Sequence, residues 1–187
     1  RLTLTLITLT LGSATFISVF NVRASLSSTV EDMIKWFNCD TMFALDRSYR
    51  ADKVQSEAES IPGVTKTDVW IQLPTRLVRR DESESGMIYM FAPTVRPDSL
   101  IVSPSLAEGR WLAPGDENAV VVPSALLIDE PELELGGDIV LKIDGDEHVF
   151  KIVGTFKGMA FLPIVYVNYD YITKITNRTG EADAVMI

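Results

Sequence analysis

The chain has 187 residues, a formal net charge of −9 and a pI near 4.6. Acidity of this order disfavours nucleic acid as a partner, because phosphate binding rests on clustered Lys and Arg. A single cysteine, Cys39, excludes an internal disulfide and every multi-cysteine zinc pattern, and a single histidine, His148, leaves almost no material for a His-based triad or a transition-metal site.

Between Arg1 and Arg23 no residue is charged, and Leu2 to Phe20 is apolar apart from hydroxyls. A helix needs about 20 such residues to cross a hydrocarbon core of about 30 Å. Thr and Ser hydroxyls in such a helix can bond to carbonyls one turn earlier, so they cost little in lipid. We read residues 1–22 as a transmembrane helix with Arg1 and Arg23 at its edges. The Leu-Thr alternation of the first eleven residues also fits a half-buried strand, but Ala14, Phe16, Ile17, Val19 and Phe20 stop alternating. The apolar core of a secretion signal is a further alternative, although the run is long for one and no convincing cleavage site follows.

Val22, Leu26, Val30, Met33 and Phe37 continue at steps of three or four, with Arg23, Glu31, Asp32 and Lys35 off that stripe. Residues 23–37 therefore read as a stalk, one helix with the span, and its apolar stripe as a coupling face. The chain begins at Arg1 and stops inside an apolar run, which reads as a piece of a longer protein.

After the stalk, Thr41 to Leu45 has the length of a buried strand. Ser48 is placed to cap a helix whose apolar face is Ala51, Val54, Ala58 and Ile61, ended by Pro62-Gly63. Val69, Ile71 and Leu73 alternate as a strand, and Pro74 reads as a break. Leu77-Val78 and Met87 to Phe91 flank the polar loop 81–86 as a hairpin. Pro93 and Pro97 mark a junction. Beyond a turn-rich stretch, Ala119 to Val122 reads as a buried strand, and Pro123-Ser124 starts a short helix stopped by Pro131. Ile139, Leu141 and Ile143 alternate up to Asp144-Gly145, a favoured hairpin turn because both positions accept positive φ. His148 to Val153 returns antiparallel. Phe161 to Val167 is apolar, Asn168 opens a helix toward Ile175, 177–183 reads as a loop, and 184–187 as a last strand. The expected fold class is α+β. Behind the membrane and stalk helix, residues 38–95 with 178–187 make a sheet layer, and 96–177 make an inserted, mostly β subdomain.

The stretch Gly109-Arg110-Trp111-Leu112-Ala113-Pro114-Gly115-Asp116-Glu117-Asn118, followed by Ala119-Val120-Val121-Val122, resembles the periplasmic core domain of MacB-like ABC transporter permeases. That group includes the lipoprotein-releasing and FtsX-like permeases. Ile61-Pro62-Gly63-Val64, Leu135 to Leu141 and Phe150-Lys151-Ile152-Val153-Gly154 agree in order and spacing, and the resemblance covers nearly the whole chain. It implies a first membrane helix running into an extracytoplasmic domain with a porter-like part and an inserted β part. It also implies an ABC ATPase subunit or domain as partner, a second permease protomer (a homodimer or a related pair), and a cell inner or cytoplasmic membrane. No phosphate-binding loop of the Gly-rich, Lys-Ser/Thr type occurs in the chain, so ATP hydrolysis is expected elsewhere, and no catalytic residue, cofactor or metal is expected here.

Other features read as structural. Asp138, Asp144, Asp146 and Glu147 lack the ligand spacing of a calcium loop and read as a polar hairpin tip. Glu57 and Glu59, two apart on a helix, point away from each other. His148 has no partner residues for catalysis, and Cys39 has no basic neighbour to activate it. Asn177-Arg178-Thr179 marks an exposed loop. Met159, Phe161 and Leu162 follow a turn and form a candidate contact for a partner or a lipidic substrate, or simply lead into the next strand. The expected role is to couple nucleotide-driven motion of membrane helices to export, lipoprotein release or signalling. A single-span sensor or adhesion module is the alternative.

Overall fold

The computed structural model describes residues 2–36, 39–96, 105–157 and 163–187. The chain divides into two units, residues 1–37 and 38–187.

The first unit is one helix, α1, over Leu2–Trp36, with no break between the apolar run and the stalk. At 1.5 Å per residue its 35 residues extend about 52 Å. Threonine hydroxyls along it bond back one turn: Thr8 to Leu4 O (2.9 Å), Thr10 to Leu6 O (2.8 Å) and Thr15 to Leu11 O (2.8 Å).

The second unit runs β1 (Met42–Arg50), α2 (Ala51–Glu59), β2 (Asp68–Val78), β3 (Ile88–Pro93), β4 (Leu106–Gly109), β5 (Ala119–Pro123) and α3 (Ser124–Asp129). It continues through β6 (Asp138–Ile143), β7 (Asp146–Phe156), β8 (Ile164–Val167), α4 (Tyr169–Ile175) and β9 (Glu181–Met186). Six strands close a ring. β2 pairs β3 and β6, β3 pairs β8 in parallel, β8 pairs β5, β5 pairs β7 in parallel, and β7 pairs β6. Alternate side chains fill this barrel, among them Ile71, Leu77, Met90, Val120, Leu141, Phe150, Ile152 and Val165, and Ile172 of α4 joins them. The barrel draws β2 and β3 from before the Pro93 junction and β5 to β8 from after it.

β2 changes partner along its length. Asp68, Val69 and Trp70 pair with β9, and Thr75 to Val78 pair with β6. β9 in turn carries β1, and α2 covers this three-stranded extension through Ala51, Ala58, Val69, Ala182 and Val185. Thr41 and Ile187 exchange backbone bonds of 3.1 and 2.9 Å, which extends the pairing of β1 with β9.

Several local expectations are corrected. Pro74 does not break the strand. It sits where pairing with β9 has ended and pairing with β6 has not begun, so its missing N–H is not needed on that flank. Ser48 caps nothing: α2 starts at Arg50 without a side-chain cap, and the Ser48 hydroxyl donates to Asp183 at 2.5 Å. β1 is longer than Thr41 to Leu45 and is an edge strand, with Met42 and Phe43 46% and 52% exposed rather than buried. Residues 181–183 belong to β9 and not to a loop. The turn at Asp144-Gly145 has the expected positive φ at both positions, 52° and 100°.

Truncation of Phe150, fully buried in the barrel, to Ala should cost about 3–5 kcal/mol. Urea unfolding of the protein followed by circular dichroism checks this.

Candidate functional site

Leu2–Ser27 is long and apolar enough to cross a membrane: 26 residues reach about 39 Å against a hydrocarbon core of about 30 Å. Of the expected coupling stripe, Val22 and Leu26 lie on exposed helix surface. Val30 and Met33 lie in the last turns of α1, where only the backbone is described, and Phe37 lies outside the described residues. Met159, Phe161 and Leu162 also lie outside the described residues.

The turn from Gly109 to Asn118 is built by close backbone approach. Gly109 ends β4 at φ 75° and faces Gly154 of β7 in the ladder. A Cβ on Gly109 would strike Val153 O, and one on Gly154 would strike the carbonyl of Arg110. Only two glycines allow the chain to cross β7 this tightly. The crossing carries Trp111 onto Tyr166, with ring centroids 5.2 Å apart. Tyr166 also meets Phe156 at 5.4 Å, Phe91 at 6.0 Å and Trp70 at 6.5 Å, so a buried aromatic cluster forms on the outer wall of the barrel. This explains why β2 is buried on both faces at Trp70 and Ile71.

Arg110 and Asp116 close the turn. The guanidinium donates to both carboxylate oxygens at 2.7 and 3.0 Å and to Trp111 O at 2.9 Å, and Asp116 also accepts Ala113 N–H at 2.8 Å. Asn168 donates to Ala113 O while its own carbonyl oxygen caps α4. The hydrogen bonds from Arg110 hold the Asp116 carboxyl below its ordinary 3.8. The turn is thus a structural clasp.

A second charged region is an open groove of about 1040 Å³ between the loop after β2 and the segment before β6. Arg79 binds Glu130 through Nε and Nη2, Lys142 binds Glu84 at 2.7 Å, and Arg80 binds Glu132 at 3.4 Å. Lys142, then Arg76, lowers the Glu84 carboxyl. Cys39 is half-buried, and burial followed by the Asp40 charge pushes its thiol up, away from the reactive thiolate. No group of His, Cys, Asp and Glu suited to a metal ion occurs among the described residues. The barrel and the aromatic wall escaped sequence reasoning. The paired glycines at 109 and 154 were the available signal.

A helix of bilayer length thus precedes a head held by packing and internal ion pairs. The chain belongs to the MacB-like periplasmic core domain family, whose sequence model matches residues 2–187. It is accordingly the extracytoplasmic domain of a MacB-like ABC transporter permease. The fold is similar to the extracellular domain of the noncanonic ABC-type transporter YknZ from Gram-positive bacteria, with a TM-score of 0.55 at 14% identity over 78% of this chain and 80% of that one. It is also similar to the periplasmic region of MacB from Actinobacillus actinomycetemcomitans, with a TM-score of 0.57 at 11% identity over 78% and 71%. At these identities the likeness is one of fold. No curated protein matches the sequence significantly.

Two outcomes test the clasp. Asp116→Asn should lower stability by about 1–2 kcal/mol at pH 7, since Arg110 is half exposed and Asn keeps one acceptor. Because the folded carboxyl titrates below the unfolded one, that contribution is complete above 3.8 and vanishes as pH falls through the lowered value. Thermal melts of the two proteins should therefore converge in acid. Gly154→Ala should cost at least about 2–3 kcal/mol, because the obstacle is backbone, whereas Gly86→Ala, which meets nothing within 4 Å, should be nearly neutral in the same melts.

Proposed function

We propose that this chain couples nucleotide-driven motion of membrane helices to work on the outer side of the membrane: export, lipoprotein release or signalling. The observation that carries this reading is the uninterrupted α1, which runs from the apolar span through the stalk residues without a Pro, a Gly pair or a change of helix type. Hydrolysis of ATP takes place in a separate nucleotide-binding subunit or domain. Rearrangement there tilts α1 as a rod. The stripe Val22, Leu26, Val30, Met33 and Phe37 packs against a second helix, either a later span of the same permease or one from a second protomer. The working unit is a homodimer or a pair of related permeases.

The head in this reading moves as one body. The porter-like part, 38–95 with 178–187, and the inserted part, 96–177, share the barrel formed by β2 and β3 with β5 to β8, so neither part can swing without tearing strand pairing. Family membership supports the reading, as does an apolar run of bilayer length.

A Gly-Pro pair in place of Ala24 and Ser25 removes a helical hydrogen bond and costs the helix about 3 kcal/mol or more. In the full-length permease with its ATPase, the double variant should bind ATP normally but lose most transport or release per ATP hydrolysed. Undiminished coupling in reconstituted vesicles would overturn the rod.

A further inference from the structure

β1 holds two registers on β9 at once. Met42, Phe43 and Ala44 face Met186, Val185 and Ala184, whereas Tyr49 and Arg50 face Ala182 and Glu181. Leu45 to Ser48, four residues, therefore stand opposite the single residue Asp183. An insertion of this size bends and loosens a strand; ladder pairs bracket it at Ala44 and Tyr49, and holding the four residues between them falls to side chains.

Asp183 takes up that role with its side chain. One carboxylate oxygen accepts the Ser48 hydroxyl at 2.5 Å, and the other faces Arg178 Nη1 at 3.4 Å. The site is well shielded, with the Asp183 side chain 17% exposed and Arg178 31%. The outer residues of the bulge bond among themselves: Tyr49 donates to Asp46 at 2.9 Å, and the Arg47 guanidinium lies 5.0 Å from the Tyr49 ring centre. The Ser48–Asp183 bond ties the bulge to β9 through side chains.

The position matters because of what lies on either side. Met42, Met186 and Asp68 form one rung, Phe43, Val185 and Val69 the next, and Ala44, Ala184 and Trp70 a third. These rungs join β1, the first strand after α1, to the wall of the barrel through β9. With the bulge pinned, displacement of the chain near Thr41 passes along the rungs to Trp70. With the bulge free, β1 can slide on β9 and absorb it. We propose that Asp183 is a positioning residue that locks the register of β1, so that movement delivered at the head's first strand reaches the barrel. The proposal rests on the coupling reading above and adds to it the point of attachment.

The test uses the full-length permease with its ATPase in nanodiscs, with every cysteine other than Cys39 replaced, spin-labelled at Cys39 and at Ile128→Cys on exposed α3. Amide hydrogen exchange is followed in parallel. Asp183→Ala should broaden the distance distribution and speed exchange at Met42 to Ala44 by at least about tenfold, with Leu141 and Ile152 unchanged. Ser48→Ala should do the same to a smaller extent, and Ser48→Thr, which keeps the hydroxyl, should match the parent protein. An unchanged distribution and unchanged exchange in Asp183→Ala would overturn the proposal. Equal acceleration in the barrel strands would overturn it too, because the residue would then serve general stability. If the variants behave as expected but the parent's Cys39-to-128 distance shifts on addition of MgATP, the register lock stands and the rigid-body reading fails.

Discussion

The head depends on β2 serving two structures with one strand. Its first residues belong to the three-stranded extension with β9 and β1, its last residues to the far seam of the barrel with β6, and its other edge runs along β3. A strand with that duty must be apolar on both faces where both structures meet, and Trp70 and Ile71, adjacent and fully buried, meet the requirement. It must also tolerate a gap in pairing where the partner changes, and Pro74 occupies that gap. The clasp at Arg110 and Asp116 then seals the aromatic wall that the two-sided burial creates. Hydrophobic burial supplies the bulk of the stabilisation.

Much of the fold was legible because periodicity and turn chemistry agree locally. Asp144-Gly145 between alternating Ile, Leu and Val residues leaves little choice but a hairpin, and Asn168 before Tyr169 marks a helix start that the cap hydrogen bond bears out. Illegible parts were those where tertiary context decides. Ring closure is a non-local event: the pairing of β3 with β8 and of β5 with β7 joins residues far apart in sequence, and alternation says nothing about which strands meet. Pro74 misled because proline's usual exclusion from strands presumes that both flanks are paired. Ser48 misled because its hydroxyl had a stronger partner in a carboxylate across the sheet than in the helix it precedes.

The candidate site was legible in kind and not in geometry. An uncharged run from Leu2 to Asn21 signals a bilayer-length helix without any knowledge of the remainder, and α1 has that form. The motif around Gly109 and Arg110 signals the family, and its residues hold a tight backbone crossing against β7. Short motifs that identify a family can do so because they solve a folding problem shared by its members.

The bonding of Thr41 to Ile187 has a wider consequence. The chain leaves Thr41 and comes back beside it at Ile187, so everything between these two residues adds almost no length between its flanks. Movement of one of the two residues is therefore felt directly by the other, without passing through the barrel.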